Sequence, residues 1–393
     1  MREKRLARMS EKKKVGILTF HNAHNYGAVL QAYALKTKLN QLGYEAQVLN
    51  YRNKYIARLY RKVFHIDFWK RDILPSRWKK DLQRIRNVFY GLDEWKQRWS
   101  KFENFIDKYV LENADNVIPL KRHKVWSISE LEKSDCDIYV LGSDQIWCRE
   151  LTHGFDQAYF GQFAPNKKKI SYGASVPDAS IPDADKAYFE KYMHALSHIS
   201  VREEKLAESL RLLTNREVTT VIDPTLLLDA EDYQPLLQKT SLVQNEYILV
   251  YYVVENENLR QVARKVAEKT GLTLVEIHSE KTPELVQSCG DGETMIYDAG
   301  PGEFLTYIRD AKIVLTNSFH GTVFSILFQK KFYSVYQKNG RIENLLGILK
   351  LEDRHIQQFS DFRMEEEIDY VQTEKRLKEY RRTSIEYLER ALI

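Results

Sequence analysis

Short apolar runs recur along the chain, and many of them lead through a polar turn into a stretch with apolar residues at helical spacing. Residues 15–20 form such a run, and residues 28–39 form the amphipathic stretch after its turn. A run of this kind is typical of a buried parallel strand, and the stretch after it is typical of a covering helix. The same alternation resumes beyond Pro224, which interrupts regular structure. The pattern therefore predicts an α/β protein with two Rossmann-like domains.

The length of 393 residues also favours two domains, because one hydrophobic core seldom organises so long a chain. The pattern predicts a basic tail at 1–13, an N-terminal Rossmann-like domain at 14–220, a C-terminal Rossmann-like domain at 221–362 and a charged helix at 363–393. No apolar run reaches the roughly 18–20 residues of a membrane span, and no apolar segment of a signal peptide follows the tail. We therefore expect a cytoplasmic protein, either free or peripheral at the inner face of the membrane. Three cysteines without metal-ligand spacing give no indication of a metal site.

Residues 52–108 differ in composition from the rest of the first domain. They hold 16 Lys or Arg against 7 Asp or Glu, and four of the six tryptophans. Apolar positions at helical spacing predict a helical insertion at about 52–110. Its basic and aromatic content suits an anionic acceptor or an anionic membrane surface, whereas a solvated helical hairpin with ordinary core aromatics is the alternative. We expect no nucleic-acid partner, because no binding motif accompanies the charge.

The most informative stretch is the apolar run at 313–316 and the turn after it. Ser318 ends the run, and His320 stands where a predicted strand gives way to a predicted helix. Ligands of open α/β sheets bind at this edge, and a helix N-terminus favours an anion. An imidazole there can give or take a proton near neutral pH, and Gly321 lets a ligand approach the backbone. A capping or core histidine is the alternative at this turn.

Polar side chains follow three other predicted strands. Asn25 and Gly27 lie where the turn after the first strand enters its helix, and such a turn suits a sugar or a phosphate. Asp144 and Gln145 follow a second strand and offer oxygen acceptors for sugar hydroxyls, although Asp144 could instead cap a helix. Arg202 ends a third strand, where it could bind a carboxylate or phosphate with two hydrogen bonds. Pairing with the glutamates beside it would make Arg202 structural.

Five stretches, by their order and spacing, resemble the polysaccharide pyruvyl transferase family: NYGAVLQAY at 25–33, VLGSDQIW at 140–147, ISVREE at 199–204, VIDPTLLL at 221–228 and TNSFHGTVFSI at 316–326. The resemblance extends over residues 14–350. It implies a fold similar to that of the GT-B glycosyltransferases, in which two Rossmann-like domains face each other across a cleft. That fold agrees with the two α/β runs of the hydrophobic pattern.

The resemblance also implies a reaction. Members of the family transfer pyruvate from phosphoenolpyruvate to two hydroxyls of a sugar, which gives a cyclic ketal in a cell-surface polysaccharide or in its lipid-linked precursor. The phosphate and carboxylate of the donor require at least two cationic or N–H-rich contacts, and the proton transfers require a general acid–base. Phosphoenolpyruvate is a co-substrate in this chemistry, which demands no cofactor and no metal.

The family motif assigns His320 as the general acid–base and Arg202 as a contact for the donor phosphate or carboxylate. Many members carry an arginine two residues before the histidine, where this chain has Ser318. We expect Arg341 to replace it, with Lys338 as the alternative. The donor side is then expected to comprise Arg202, Arg341, Ser318, Gly321 and Lys338, and the acceptor side Asn25, Gly27, Asp144 and Gln145.

Two other functions are compatible with these residues. A GT-B glycosyltransferase that uses a nucleotide sugar would also need anion-binding groups in its second domain. A non-catalytic glycan-binding protein would explain the missing arginine at Ser318. The basic insertion at 52–108 would give a lipid-linked acceptor a contact at the membrane face.

Overall fold

The computed structural model describes residues 12–53, 55–56, 90–111 and 127–393. The described residues form two compact units. The first unit comprises residues up to 56 together with 106–228 and 379–393, and the second comprises 90–105 and 229–378.

The described residues contain twelve strands and thirteen α-helices, besides short 3₁₀ turns and a π-helical turn at Ile106–Leu111. The strands are β1 (Lys14–Leu18), β2 (Glu45–Val48), β3 (Ile138–Leu141), β4 (Lys168–Ser171), β5 (Ile199–Val201), β6 (Val218–Thr220), β7 (Tyr247–Tyr251), β8 (Thr273–Ile277), β9 (Glu293–Ile296), β10 (Ile313–Thr316), β11 (Lys331–Val335) and β12 (His355–Ile356). The helices are α1 (Tyr26–Gln41), α2 (Leu92–Phe105), α3 (Ile128–Leu131), α4 (Arg149–Thr152), α5 (Asp183–Met193), α6 (Glu204–Thr214), α7 (Ala230–Tyr233), α8 (Glu257–Thr270), α9 (Pro283–Gln287), α10 (Pro301–Asp310), α11 (Phe319–Leu327), α12 (Gly340–Leu349) and α13 (Tyr370–Leu392).

The first unit is built on parallel strands. Four of them form a sheet in the order β2-β1-β3-β4, and β5 pairs with β6 in parallel. Single parallel bridges join Ile170 to His198 and Ala174 to Val201, so the pairing continues from β4 to β5. Because all these strands run the same way, the residues that follow them come out at one edge.

The second unit has a six-stranded parallel sheet in the order β12-β11-β10-β7-β8-β9. Strand β10 lies inside this sheet, with Thr316 paired to Ser334 on one side and to Tyr251 on the other. Apolar side chains at alternate positions of β7, β10 and β11 face helix α8 and form one buried core. The apolar runs that predicted buried parallel strands are therefore explained by cover on the sheet faces.

Helix α2 corrects the expected place of the helical insertion. We expected the insertion to belong to the first domain, but α2 belongs to the second unit. Lys101 on α2 pairs with Asp298 and with Glu303 at 2.8 Å each. These ion pairs depend on residues about 200 positions away in the sequence, so helical spacing alone could not predict them. Trp69 and Trp78 of the insertion lie outside the described residues, and its contact with a membrane stays a prediction.

The expected boundaries at 221 and 363 are also corrected. Residues 221–228 belong to the first unit, where the Val221 amide donates to the Val201 carbonyl at 2.9 Å. The terminal helix α13 begins in the second unit, and its residues from Glu379 belong to the first. Arg381 of α13 donates to the carbonyls of Leu226 and Leu228 at 2.7 and 3.0 Å. The hydrogen bonds of these two segments, rather than a change in composition, decide where they belong.

Nowhere in the described part of the chain is a helix both long enough and apolar enough to cross a membrane.

The close contact between α10 and the chain before it gives a test of the packing. A Cβ atom at Gly302 would lie 2.4 Å from the Leu236 carbonyl oxygen, whereas one at Gly347 on α12 would meet nothing nearer than 3.9 Å. We predict that Gly302→Ala destabilises the protein by about 1–3 kcal/mol, because backbone must move. Gly347→Ala should stabilise it by about 0.5–1 kcal/mol, because alanine loses less entropy in a helix.

Urea unfolding of both variants measures the two free energies. Equal effects of the two substitutions would contradict the packing at Gly302.

Candidate functional site

The turn from β10 into α11 is fixed by side-chain hydrogen bonds. Ser318 is the N-cap of α11, and its hydroxyl accepts the Gly321 amide at 3.1 Å. Thr316 accepts the Ser318 amide at 3.0 Å and donates to the Tyr251 carbonyl at 2.8 Å. Ser318 is buried, so its hydroxyl serves the helix. Ser318, which was expected to contact the donor, therefore has a capping role here, and its contact with the donor stays a prediction.

Gly321 has a packing reason to be glycine. A Cβ atom there would lie 2.6 Å from the Thr316 hydroxyl oxygen. The expectation that Gly321 serves the approach of a ligand is therefore not needed to explain the residue. The contact holds the first turn of α11 against the end of β10.

His320 occupies the second position of α11 and is half-buried. Its imidazole lies 5.2 Å from the Phe319 ring, edge to face. The first turn of a helix presents backbone N–H groups, and the helix dipole favours an anion there. His320 thus lies at the carboxyl edge of the second sheet, as the sequence predicted.

Arg341 lies beside this turn. Its guanidinium carbon is 5.9 Å from the centroid of the Phe319 ring, next to His320 in the chain. Arg341 stands in the first turn of α12, whose N-cap is Asn339. Lys338, the alternative replacement for the missing arginine, is exposed on the loop before that helix. The structure therefore brings Arg341, rather than Lys338, into contact with the His320 turn.

In the first unit, the ends of several strands converge on one buried arginine. Arg202 donates from Nη1 to Asp223 at 2.7 Å, and its Nη2 and Nε lie 3.7 and 3.8 Å from carboxylate oxygens of Asp144 and Glu203. Residues 144, 202 and 223 follow β3, β5 and β6 in turn. The sequence assigned Asp144 to the acceptor and Arg202 to the donor, whereas the structure places both in a single cluster. We call these four residues, Asp144, Arg202, Glu203 and Asp223, the arginine cluster.

The arginine cluster carries an excess of negative charge. Burial alone would lower the pKa of the Arg202 guanidinium, but Asp223, Glu203 and Asp144 together raise it above its usual range. The Asp223 side chain is 0% exposed and that of Arg202 is 4% exposed, so this pairing is hardly screened by water. The Nε and Nη2 groups of Arg202 have no hydrogen-bond partner among the described residues. A buried guanidinium with two such N–H groups retains the capacity to bind an oxygen atom of a ligand.

Asp223 was not singled out from the sequence, and Glu203 was considered only as a structural partner of Arg202. Asp223 also accepts the amide and the hydroxyl of Thr225, at 3.0 and 2.7 Å. Glu203 accepts the buried Ser175 hydroxyl at 2.9 Å. The sequence did carry a signal for Asp223, because it precedes Pro224 in one of the family stretches.

The remaining acceptor-side candidates lie on other strand ends of the first unit. Asn25 is the N-cap of α1 and accepts the Ala28 amide at 3.3 Å, and Gly27 is buried within that helix. Gln145 is half-buried beside Asp144, whose carboxylate accepts the Gln145 amide at 2.8 Å. The cap accounts for Asn25 structurally, and its contact with an acceptor stays a prediction.

A buried polar network lies behind the first turn of this unit. His21, which is fully buried, contacts the Thr19 carbonyl at 3.2 Å and the Asn50 side chain at 3.0 Å. Arg52 donates to the same Asn50 oxygen at 3.0 Å, and the Thr19 hydroxyl donates to the Ser143 carbonyl at 2.9 Å. These contacts tie the ends of β1, β2 and β3 together. Within the described residues, no group of three His, Cys, Asp or Glu could hold a metal ion.

Known structures share this architecture. The structure of UDP-GlcNAc 2-epimerase from Methanocaldococcus jannaschii aligns with a TM-score of 0.50 at 10% sequence identity, covering 94% of this chain and 92% of that one. UDP-GlcNAc 2-epimerase from Neisseria meningitidis bound to UDP-GlcNAc aligns at 0.47 and 13% identity, covering 96% and 93%. E. coli heptosyltransferase WaaC with ADP-2-deoxy-2-fluoro heptose aligns at 0.39 and 11%, covering 83% and 89%. The fold is that of the GT-B enzymes, as the sequence predicted.

The family model for polysaccharide pyruvyl transferase matches residues 25–339. The chain therefore belongs to the polysaccharide pyruvyl transferase family and is a transferase that acts on a sugar acceptor. No curated protein sequence matches it. Asn25, Asp144, Arg202 and His320 fall within the matched residues, whereas Arg341 lies two residues beyond them.

The buried pairing in the arginine cluster gives a test by stability. Asp223→Ala removes one partner of a buried pair and should cost about 3–5 kcal/mol of unfolding free energy. Glu204→Gln breaks a pair with Arg211 on the surface, where the Glu204 side chain is 54% exposed, and should cost at most about 1 kcal/mol. Urea unfolding of both variants measures the difference, and similar values for the two would contradict the buried pairing of Arg202.

Proposed function

We propose that this protein transfers the pyruvyl group of phosphoenolpyruvate to two hydroxyls of a sugar, forming a cyclic ketal in a surface polysaccharide or its lipid-linked precursor. The observation that carries the proposal is the contact of Arg341 with the His320 turn, at 5.9 Å from the Phe319 ring. The Arg341 guanidinium is then a cation that lies beside the N-terminus of α11 and the imidazole of His320. The donor, which carries a phosphate, a carboxylate and a methylene that must be protonated, requires these three features.

The proposed role of His320 is to move protons. Its imidazolium gives a proton to the methylene carbon of phosphoenolpyruvate, which leaves a cationic centre at C2. A sugar hydroxyl adds to C2 and returns its proton to the imidazole. The bond between C2 and the phosphate oxygen then breaks, and the second hydroxyl closes the ketal as its proton leaves with the phosphate. No external acid is consumed in this sequence, so one histidine can serve it.

The proposed role of Arg341 is to hold an anionic group of the donor. Guanidinium groups bind carboxylate and phosphate through two parallel hydrogen bonds, which fixes the orientation of the ligand as well as its position. The capped first turn of α11 favours the same anionic group, because the N-terminal end of the helix dipole is positive. Arg341 thereby substitutes for the arginine that relatives carry at the position of Ser318.

Arg202 remains our second candidate for a donor contact. Its available groups are Nε and Nη2, because Nη1 is bonded to Asp223. The three carboxylates of the arginine cluster would repel an anionic ligand group. The group that binds there should therefore be neutral or protonated. Asp144 and Glu203 can in turn accept hydrogen bonds from sugar hydroxyls. We therefore propose that the arginine cluster binds hydroxyls of the sugar acceptor, and the expected contact of Arg202 with the donor stays a prediction.

Calorimetric titration with phosphoenolpyruvate tests the donor and its clamp. Arg341→Ala should lose roughly 1.5–3 kcal/mol of binding free energy, which is at least a tenfold loss of affinity, because a charge-assisted contact disappears. Lys338→Ala should bind within about twofold of the wild type, because a change under 0.5 kcal/mol is expected of an exposed side chain that makes no contact. Lys375→Ala, an exposed lysine of α13, controls for the loss of positive charge.

An equal loss for Arg341→Ala and Lys338→Ala would contradict the assignment of Arg341. Binding of UDP or GDP in place of phosphoenolpyruvate would contradict the donor itself.

His320 is tested by turnover. His320→Gln keeps a hydrogen-bonding side chain that cannot titrate, so the rate of phosphate release should fall by about 10²–10⁴-fold while phosphoenolpyruvate still binds. The assay measures phosphate release with sugars, nucleotide sugars and lipid-linked sugars as acceptors, and mass spectrometry detects the pyruvyl ketal. His194→Ala removes an exposed histidine and should leave the rate unchanged. Full activity of His320→Gln would exclude His320 as the proton carrier.

A further inference from the structure

The loop that connects β7 to α8, residues 252–256, is bonded to the turn that carries His320. The Asn317 side chain accepts the Val253 amide at 2.9 Å and donates to the Val254 carbonyl at 2.8 Å. Val253 and Val254 are 50% and 70% exposed. Burial therefore contributes little at these two residues, although Tyr252 before them is buried, and the two hydrogen bonds of Asn317 fix Val253 and Val254.

The other end of the loop is bonded to a buried histidine. Glu255 contacts Nδ1 of His278 at 2.7 Å, and the buried Glu276 contacts Nε2 of the same ring at 2.9 Å. A neutral imidazole has one N–H and could donate to only one of these carboxylates. With both carboxylates ionised, both contacts are favourable only when His278 is an imidazolium. The rings of Tyr252 and Tyr297 lie on either side of it, with centroids at 5.1 and 5.7 Å.

The charges around His278 favour the same state. Arg260 of α8 lies 3.3 Å from Glu276 and 3.6 Å from Glu255, so one negative charge of this pair of carboxylates is left for His278 to balance. Behind them, Arg264 of α8 and Glu293 of β9 form their own pair at 2.6 Å. Burial, followed by the charges of Cys289 and Glu276, raises the pKa of Tyr297 to about 12. Burial lowers the pKa of His278, but the hydrogen bonds to Glu255 and Glu276 outweigh it and raise the pKa.

We propose that Asn317 and His278 are positioning residues, which hold the His320 turn in place because they hold the loop 252–256 at its two ends. Asn317 joins the loop directly to the turn, three residues before His320. His278 holds Glu255 and so keeps the loop from leaving Asn317. Neither residue touches the reacting atoms in this proposal. Its consequence for catalysis rests on the proposed function of His320, but the loop itself can be tested without any substrate.

If a charged His278 holds the loop, the stability of the loop should depend on pH in a defined direction. Because the folded-state pKa of His278 is raised, its contribution is fully present below the ordinary histidine value of about 6.5. The contribution is lost as the pH rises through the raised pKa. The loop should therefore loosen on the alkaline side.

Hydrogen exchange, followed by mass spectrometry on the intact protein, tests the contact of Asn317. The Val253 amide reports on this contact directly, because its hydrogen bond to Asn317 protects it from exchange. Asn317→Ala should reduce the protection of the peptide that contains residues 252–256 at least tenfold. Asn258→Ala is the matched control, because the side chain of Asn258 also bonds a backbone carbonyl, that of Gln357 at 2.7 Å.

Asn258→Ala should leave the loop protected as in the wild type, and circular dichroism checks that both variants are folded. Unchanged protection in Asn317→Ala would overturn the proposal.

The same readout, corrected for the intrinsic pH dependence of exchange, tests His278. Glu255→Gln replaces a charged partner by a neutral one, so the loop should lose half of its protection at a lower pH than in the wild type. Glu257→Gln removes an exposed charge on the first turn of α8 and should leave that pH unchanged. A purely structural role of Glu255 would weaken protection equally at every pH, and that result would overturn the part assigned to His278.

The outcome is independent of the donor. If the wild type failed to bind phosphoenolpyruvate, the proposed function would fall while the exchange results still decided the loop. If the wild type does bind phosphoenolpyruvate, the alkaline limb of kcat/KM should move to lower pH in Glu255→Gln, together with the loss of loop protection. It should stay at the wild-type pH in Glu257→Gln.

Discussion

Parallel pairing inside the two sheets is the constraint on which the candidate sites depend. Strand β10 is paired on both sides, so its end at Thr316 cannot shift without breaking the register with β7 and β11. The Thr316 hydroxyl extends this constraint into the turn by bonding Tyr251 and the Ser318 amide. His320 inherits its place from these contacts. The same rule gathers Asp144, Arg202 and Asp223 at one edge of the first unit.

The buried charges of the two units follow a common logic. Each surrounds a buried cation with carboxylates, namely Arg202 in the first unit and His278, which shares its carboxylates with Arg260, in the second. A charge buried in this way is costly unless it is paired, so each member fixes the position of the others. The two cations differ in one respect, because a guanidinium keeps its charge at any physiological pH and an imidazole does not. Only the second group can therefore respond to pH.

Local patterns in the sequence were sufficient for the fold class and for the position of His320. The apolar run at 313–316 is followed by its own polar turn and helix, so the strand and the helix on either side of the turn could be predicted from adjacent residues. The arginine cluster could not be predicted in this way, because residues distant in the sequence assemble it. Asp223 reaches Arg202 only because β5 and β6 are paired, and α2 reaches the second unit through ion pairs to residues far along the chain. At Gly321 the close contact with Thr316 gives a packing reason that adjacent residues did not reveal, and the expected approach of a ligand there stays a prediction.

The central claim is that the second unit binds phosphoenolpyruvate at the His320 turn. Phosphorus NMR measures this most directly, because the donor has a single phosphorus atom. The account predicts that wild-type protein broadens the phosphoenolpyruvate signal, that equimolar UDP does not restore it, and that Arg341→Ala sharpens it. An unchanged phosphoenolpyruvate signal together with broadened UDP signals would contradict the account and assign the turn to a nucleotide.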